Sequence, residues 1–373
     1  MKYKTGEYVL EKTGRWLCHT FVPYPLQKDG IVLADEELYA LLAKAHRLIG
    51  FLNGMTAYIP DIDIYTDLAA KYESVLSCQI DGSAVTFADL WDSSKQKTIQ
   101  KVIAYNEALY AGKNIISAQG LSLEAIRAVH KVLMNCEVPE EAGKFRQQQL
   151  IIQRGFSDSL IEYNPPNPED MTNALHDLES YFNFECDYDV LVQAALVYYQ
   201  FITIYPFTAG NGRMSRLITN LFFMEKGLLS QPLLWTSYYL LLRNDEYNST
   251  IRAVRGIYSG YMPWVKFFVK SVIVAAEKTV DILRRSHDLR IFDYAKIQSL
   301  DRVYPAVLRI YEYIWKTPII EVRHIAKDLG LSYNTVAKAV NIFLSLGVLH
   351  QVDGQKRYRK YAYTNLLDIF SLV

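Results

Sequence analysis

A loop with two glycines and an asparagine, followed by two arginines, is the part of this sequence best suited to chemistry. Gly210, Asn211 and Gly212 precede Arg213, and Arg216 follows about one helical turn later. Glycine has no Cβ, so its backbone can adopt positive φ. Its N–H group can therefore approach an anion closely. Arg213 and Arg216 lie on one helix face and present planar donor groups suited to phosphate. The pattern predicts a phosphate-binding cradle.

Two buried helices must position this loop. Residues 191–204 before it are almost wholly apolar, and residues 217–223 after it are mostly apolar. A run of this composition and length is typical of a helix that is buried on most sides. The second helix begins directly after the glycines, so its N-terminus adds unpaired N–H donors and a partial positive charge to the cradle.

The stretch resembles the signature of the Fic (Fido) family, His-x-Phe-x-(Asp/Glu)-Gly-Asn-Gly-Arg-x-x-Arg. The matching positions are Phe207, Gly210, Asn211, Gly212, Arg213 and Arg216. The resemblance implies transfer of AMP from ATP to a hydroxyl of a target protein, with these loop and arginine residues binding the nucleotide. It also implies that Tyr247 lines the binding site of the nucleotide base, because relatives carry tyrosines in this segment.

Two positions depart from the family signature. Tyr205 stands where the family has its catalytic His, and Ala209 stands where it has a metal-binding acid. A tyrosine of ordinary pKa near 10 is ionised only about one part in a thousand at neutral pH. Without the acid, Mg²⁺ keeps only phosphate oxygens and water as ligands, and no metal-binding residue is assigned. We therefore expect little or no AMP transfer.

Three functions stay open at this point. The chain is a slow AMP transferase with an unusual base, or a nucleotide-binding pseudoenzyme that regulates through its C-terminal region. The third alternative is a purely structural use of the fold, with the cradle empty. Nucleotide binding separates the third from the others, and covalent transfer separates the first from the second.

A second family motif precedes the signature. Many Fic proteins carry an inhibitory helix that ends in (Ser/Thr)-x-x-x-Glu-(Gly/Asn), whose Glu pairs with the second signature arginine. Ser77 and Gly82 match that motif, while the acid is Asp81, one methylene shorter. The resemblance implies that Asp81 pairs with Arg216. The alternative from the residues alone is a helix that ends at a glycine cap, with Asp81 in solvent.

A β-hairpin beside the helical core is predicted from Arg146 to the prolines Pro165 and Pro166. The resemblance identifies residues 147–155 with the family's flap, which holds the target protein in extended form by strand-like pairing. The flap residues assigned on this basis are Gln149, Ile151 and Gln153. The alternative is an ordinary hairpin without a partner.

The C-terminal region resembles a winged helix-turn-helix domain. Helices are expected at 306–315, 322–329 and 334–346, and two wing strands at 347–349 and 357–361 with Asp353-Gly354 as the turn between them. The residues assigned to DNA binding are Tyr333, Asn334, Thr335, Lys338, Arg357 and Arg359, with Lys356 and Lys360 also in the wing. Winged helices also bind proteins, so both partners stay open.

The predicted fold is mainly α: a Fic helical core with a small β-hairpin flap and a C-terminal winged helix-turn-helix domain. Its parts are an N-terminal hairpin-like arm and helical region at 1–110, an inhibitory helix near 64–82, the core at 111–285 and the winged helix at 300–373. A charged stretch at 284–302 marks the last junction.

Composition excludes several classes of protein. The 373 residues include 40 Lys and Arg together and 40 Asp and Glu together. The chain therefore has no overall positive charge that would indicate nucleic-acid binding. The four cysteines have no metal-ligand spacing and predict reduced thiols. We find no transmembrane run or signal peptide and expect a cytoplasmic protein. The expected partners are a nucleotide, a protein target and DNA, with no membrane and with a homodimer as one arrangement.

Overall fold

The computed structural model describes residues 4–13, 16–26, 35–153, 161–184, 187–256, 260–300, 305–352 and 359–371. Within these ranges helices dominate, which confirms the predicted mainly α class. The fourteen helices are α1 (Glu36–Tyr58), α2 (Ile62–Ile80), α3 (Gln100–Gln119), α4 (Leu123–Met134), α5 (Pro168–Phe182), α6 (Val190–Ile204), α7 (Asn211–Glu225), α8 (Thr236–Leu242), α9 (Asn244–Val254), α10 (Met262–Gln298), α11 (Pro305–Lys316), α12 (Val322–Leu329), α13 (Tyr333–Ser345) and α14 (Thr364–Ile369).

Among the residues that the structure describes, seven short strands form three antiparallel sheets. They are β1 (Gly6–Thr13), β2 (Trp16–Pro23), β3 (Ile152–Gln153), β4 (Ile161–Tyr163), β5 (Ile319–Glu321), β6 (His350–Gln351) and β7 (Lys360–Ala362). The first sheet pairs β1 with β2, the second pairs β3 with β4, and the third has the order β5-β7-β6. The hairpin β1–β2 confirms the predicted N-terminal arm.

The helix pair α6–α7 lies at the centre of the core. All but three residues of α6 are buried, because its sequence is apolar on every side, and α7 is buried from Arg213 to Phe223. Helices α3, α4, α5 and α10 pack around this pair. The loop between α6 and α7 is therefore held by a rigid frame on both sides.

Most of the predicted junction at 284–302 lies on α10, which continues without a break to Gln298. Most of its charged residues in this stretch are exposed or half-buried, while Asp293 is buried together with Leu283, Ser286 and Ile297. The domain bounds given from the sequence stay predictions.

Residues 305–371, here called the C-terminal module, run in the order helix, strand, helix, helix and two strands before α14. The helices α11, α12 and α13 lie where the sequence predicts them. The strands do not: β5 was not predicted, residues 347–349 are not a strand, and the last strand runs 360–362. The three-stranded pairing decides these strand bounds, because Ile319 and His350 both pair with Ala362.

Helix α2 lies between the core and the C-terminal module. It contacts α3 and α8 on one side and α11 on the other. Its residues are buried almost without interruption from Tyr65 to Cys78. Where α2 packs against the core, this close packing resists its displacement.

Candidate functional site

The loop between α6 and α7 is set by two residues in the left-handed region. Tyr205 ends α6 with φ 52°, and Gly210 precedes α7 with φ 76°. A tyrosine with positive φ costs on the order of 1–3 kcal/mol and persists only where its surroundings hold it. Helix α7 then begins at Asn211, and its first intrahelical bond runs from Met214 N to Gly210 O at 2.9 Å. The N–H groups before Met214 are thus available at the helix N-terminus.

Asn211 closes the loop on itself. Its Nδ2 donates to Phe207 O at 2.8 Å, and its Oδ1 accepts from Phe207 N at 3.0 Å. The side chain is 1% exposed. The structure therefore places Asn211 as a brace of the loop, with its amide oxygen and one N–H direction engaged by backbone.

Arg146 is a second brace, which the sequence analysis placed in a hairpin and gave no role. Its backbone N donates to Pro206 O at 3.0 Å, and its Nε donates to Tyr205 O at 2.9 Å. The guanidinium also donates to the carbonyl of Gln148 at 2.9 Å. Buried arginine donors directed at backbone carbonyls explain how the strained Tyr205 conformation is held.

His130 supports the loop from α4. Its ring stacks on Phe207 with centroids 3.5 Å apart and an interplanar angle of 3°. The hydrogen bonds assign a neutral ring, because Nε2 donates to Ala209 O at 3.0 Å while Nδ1 accepts from Gly143 N at 3.0 Å. Burial lowers the pKa of His130 to about 4. Its role is therefore structural.

We expect His130 to make stability depend on pH. In the unfolded chain the ring binds a proton near its ordinary pKa of about 6.5, whereas in the folded chain it does so only near 4. The unfolded state therefore takes up more protons between these values, and the free energy of unfolding falls by about 3 kcal/mol as pH drops from 6.5 to 4. Urea unfolding across this range measures the slope. His130→Gln should remove most of it, and parallel curves for both proteins would contradict this assignment.

Gly210 is required by space as well as by φ. A Cβ at this position would lie 2.5 Å from Met134 Sδ and 3.1 Å from Met134 Cγ. Gly210→Ala should lower the free energy of unfolding by about 1–3 kcal/mol, measured by urea unfolding. Gly227→Ala is the matched control, because Gly227 has a similar φ of 68° but no atom within 4 Å of its Cβ position. Equal losses in the two variants would show that the contact with Met134 costs nothing.

Arg216 is held by the end of α2, as the resemblance implied. Its Nη2 donates to Asp81 Oδ1 at 2.9 Å and to Ser77 O at 3.0 Å, while Nε donates to Ser77 Oγ at 2.7 Å. Arg216 is 1% exposed. Burial alone would lower the pKa of this guanidinium, yet the Asp81 carboxylate raises it above the ordinary value. Gly82 follows Asp81 with φ 86° and ends the helix.

Asp81 also contacts the first arginine, which extends the ion pairs across the cradle. Asp81 Oδ2 lies 3.1 Å from Arg213 Nε, and Arg213 Nη1 donates to Glu137 Oε1 at 2.5 Å. Glu137 Oε2 in turn lies 2.6 Å from Lys101 Nζ. Burial raises the pKa of Glu137, but hydrogen bonds from Arg213 and Lys101 outweigh it and lower the pKa. A cavity of about 380 Å³ opens beside Asp81 and Arg213.

A buried polar shell surrounds Arg216 on its inner side. Glu73 is 1% exposed, accepts hydrogen bonds from Ser237 Oγ and Tyr105 OH, and has its pKa raised by burial to about 7. Neither its role nor that of Glu137 was predicted. Both lie on helices without a motif, so only spatial proximity to the arginines reveals them.

Tyr247, predicted to wall a nucleotide base, lies in the aromatic core. Its hydroxyl lies 2.9 Å from the hydroxyl of Tyr198, and its ring centroid lies 6.1 Å from that of Trp264. Burial raises the pKa of the Tyr247 hydroxyl. The positive charge of Arg216 opposes this rise, because it favours the ionised hydroxyl.

The residues at the loop do not fit a magnesium site held by side chains. Ala209 has no side-chain oxygen, and its carbonyl already accepts from His130. Within the described ranges no group of three His, Cys, Asp or Glu residues could hold a metal ion. Glu141 also contacts the loop, where its carboxylate accepts a hydrogen bond from Thr208 Oγ1.

The predicted flap is a hairpin in the structure, formed by β3 and β4. Ile151 is 44% exposed, and Gln149 Nε2 donates to Pro165 O at 2.9 Å. The backbone of Gln153 lies in β3, while residues 154 and 155 lie outside the described ranges. The N-terminal arm supports the hairpin, because Phe21 N donates to Asn164 O at 3.0 Å.

The residues assigned to DNA binding lie mostly at the start of α13. Tyr333, Asn334 and Lys338 are exposed, and Thr335 is half-buried, its N–H capped by Ser332 Oγ at 3.1 Å. Arg359 is exposed beside β7, whereas Lys356 and Arg357 lie outside the described ranges.

In the part of the chain that the structure describes, none of the helices is long and apolar enough to cross a membrane.

Two sequence profiles match this chain. Residues 120–223 match the Fic/DOC family, and residues 39–114 match the Fic/DOC family N-terminal region. Protein adenylyltransferase fic-1 of Caenorhabditis elegans is 31% identical over 109 residues, which are 29% of this chain and 20% of that protein. Protein adenylyltransferase Fic of Nematostella vectensis is 27% identical over 186 residues, which are 48% of this chain and 39% of that protein. This chain thus spans well under two thirds of these relatives' length.

Two solved structures share the fold. A Fic family protein from Desulfovibrio desulfuricans G20 has a TM-score of 0.57 at 18% identity, covering 90% of this chain and 98% of its own. Fic-1 of Caenorhabditis elegans, residues 134–508, has a TM-score of 0.51 at 20% identity, covering 67% of this chain and 74% of its own. The signature loop, the profile matches and the fold agree, and the protein belongs to the Fic/DOC family.

Proposed function

We propose that this chain binds ATP in the cradle of Gly210, Gly212, Arg213 and Arg216, and that Asp81 occupies the place of a terminal phosphate. One observation carries the proposal: a single carboxylate contacts both arginines, at 3.1 Å from Arg213 and 2.9 Å from Arg216. Two guanidinium groups that share one anion are arranged for a ligand with more than one negative charge. We call the contact of Asp81 with Arg213 and Arg216 the clamp.

AMP transfer is the activity that the named relatives suggest, and we propose that it is weak or absent here. Transfer to a hydroxyl requires a base near the attacking oxygen, and Tyr205 stands at that position. Charge on the phosphates would have to be neutralised by Arg213, Arg216 and the N–H groups of α7, since Ala209 offers no ligand to Mg²⁺. Without a base and a metal acid, the cradle holds the nucleotide more readily than it activates it.

Incubation with α-labelled ATP and Mg²⁺ tests the absence of transfer. Wild type should acquire no more label, on itself or on an added cell extract, than Arg216→Ala does. Label that appears in wild type and disappears in Arg216→Ala would show a working transferase with a base we have not identified.

The second candidate function is regulation through the C-terminal module, which we propose is a winged helix. Its element order and three-stranded sheet support this, and the exposed residues at the start of α13 suit a nucleic-acid or protein partner. Salt-dependent binding to duplex DNA that Lys338→Gln weakens would favour DNA over protein. A role of Gln149, Ile151 and Gln153 in holding a protein target, a homodimer and a cytoplasmic location stay predictions.

A further inference from the structure

The helix that carries Asp81 is covered, on the side away from the cradle, by aromatic residues of the C-terminal module. Phe370, directly after α14, stacks on Phe87 with centroids 4.7 Å apart and meets Tyr72 of α2 edge-on at 5.5 Å. Tyr72 and Phe87 also meet edge-on, at 5.6 Å. Aromatic pairs of this geometry stabilise a contact beyond the area they bury. Phe370 therefore fixes both α2 and the segment that follows it.

The segment that leaves the clamp is also bonded to the C-terminal module. Residues 83–99 join Gly82 to α3, and within them Trp91 Nε1 donates to the carbonyl of Lys316 at 3.1 Å. Nζ of Lys360, in β7, lies 2.9 Å from Oδ1 of Asp92. The module thus holds the chain ten and eleven residues beyond Asp81.

The start of α2 is held by the same module. Arg290 of α10 bridges two acids. Its Nη2 lies 2.9 Å from Oδ2 of Asp61, just before α2, and 2.7 Å from Oε2 of Glu312 in α11. Tyr65 of α2 lies against Trp315 of α11 with centroids 5.8 Å apart. Helix α2 is therefore attached to the C-terminal module at its start, along its length and after its end.

This interface is not fully packed. A cavity of about 520 Å³ lies between α2 and the module, lined by Tyr72, Leu76 and Phe87 on one side and by Leu367 and Phe370 on the other. Unfilled space removes contacts that would otherwise oppose a shift of the two surfaces. The interface is therefore a place where the module and α2 can part without disturbing the core around α6 and α7.

We propose that the C-terminal module keeps α2 in the position that closes the clamp, so that a displaced module frees Asp81 from the arginines. The inference rests on the proposed nucleotide site for its consequence, because the clamp competes with a phosphate. Its structural part, the coupling of the module to the end of α2, is independent of any ligand.

Two variants at the interface test the coupling. Phe370→Ala removes the aromatic contact, and Trp91→Phe keeps the ring but removes the hydrogen bond to Lys316, with little risk to folding. Hydrogen exchange should become faster in the amides of residues 73–82 in both variants, and ATP affinity should rise by about tenfold in Phe370→Ala, as expected when a closed state is destabilised. Asn341→Ala is the control, since Asn341 is an exposed residue of α13 in the same module and has no role in the clamp or in partner binding.

A double variant separates the inference from the proposed function. If the module acts through the clamp, Phe370→Ala should add nothing to ATP affinity in an Asp81→Ala background. Unchanged exchange at residues 73–82 in both interface variants overturns the inference, as does additive behaviour in the double variant. If no variant binds ATP while exchange at residues 73–82 still rises, the nucleotide proposal fails and the coupling stands.

Discussion

Tyr205→His combined with Ala209→Asp is expected to raise AMP transfer from ATP by on the order of 10²–10⁴-fold over the unrepaired protein. The hydrogen bonds that fix the loop, and that would position the new side chains, are already present in the wild type. Asn211 closes the loop onto Phe207, and Arg146 holds the carbonyl of Tyr205 at 2.9 Å. A histidine at 205 restores a base whose pKa lies near neutrality, and an aspartate at 209 restores an oxygen ligand for Mg²⁺.

The repair should be made in an Asp81→Ala background, so that the clamp does not hide the gain. Incorporation of label from α-labelled ATP is the readout, with each single substitution measured beside the pair. Arg216→Ala in the repaired protein is the control that ties the label to the cradle. If the repaired protein labels no faster than its parent, the loss of activity does not lie at positions 205 and 209.

Asp81→Ala is expected to tighten ATP binding by on the order of tenfold, or about 1.4 kcal/mol. The substitution frees the N–H of Arg216 Nη2 that donates to Asp81 at 2.9 Å, and it removes a like charge from the path of the phosphates. We expect no larger gain, because the Asp81 side chain is 37% exposed and solvent screens its ion pairs.

Asp81→Asn is the matched control for this prediction. It keeps the shape of the side chain and a hydrogen-bond acceptor while removing the charge, so its ATP affinity should lie between those of wild type and Asp81→Ala. Calorimetric titration at two salt concentrations measures all three. Equal affinities would discard the clamp and leave Asp81 as the cap of α2.

The sequence predicts the parts of the site that are local and not those that depend on packing. Gly210, Arg213 and Arg216 could be assigned because their types and spacing already describe a loop and a helix N-terminus. The contact of Asp81 with Arg216 followed from the resemblance, since residues 135 positions apart carry no spacing signal. Arg146 and Glu137 were missed for the same reason: each acts by proximity alone.

The errors in the fold have a similar origin. The charged stretch after Arg284 predicts a domain junction, and it lies on the continuous helix α10, which buries Leu283 and Ile297 and leaves most of these charges outside the core. The predicted bounds of the wing strands differ from the observed ones, because the bounds of a strand of two or three residues depend on its partner strands. Ala362, for example, pairs with both Ile319 and His350. Helices with long apolar periodicity, such as α6, were placed to within a few residues.

Titration of Asp81→Ala and of Asp81→Ala/Arg216→Ala with ATP tests the central claim most directly. If the cradle is a nucleotide site closed by Asp81, the single variant should bind ATP, and the double variant should lose at least about tenfold in affinity, because a charge-assisted contact to phosphate is removed. Equal ATP binding by the two variants, or none by either, would contradict the account.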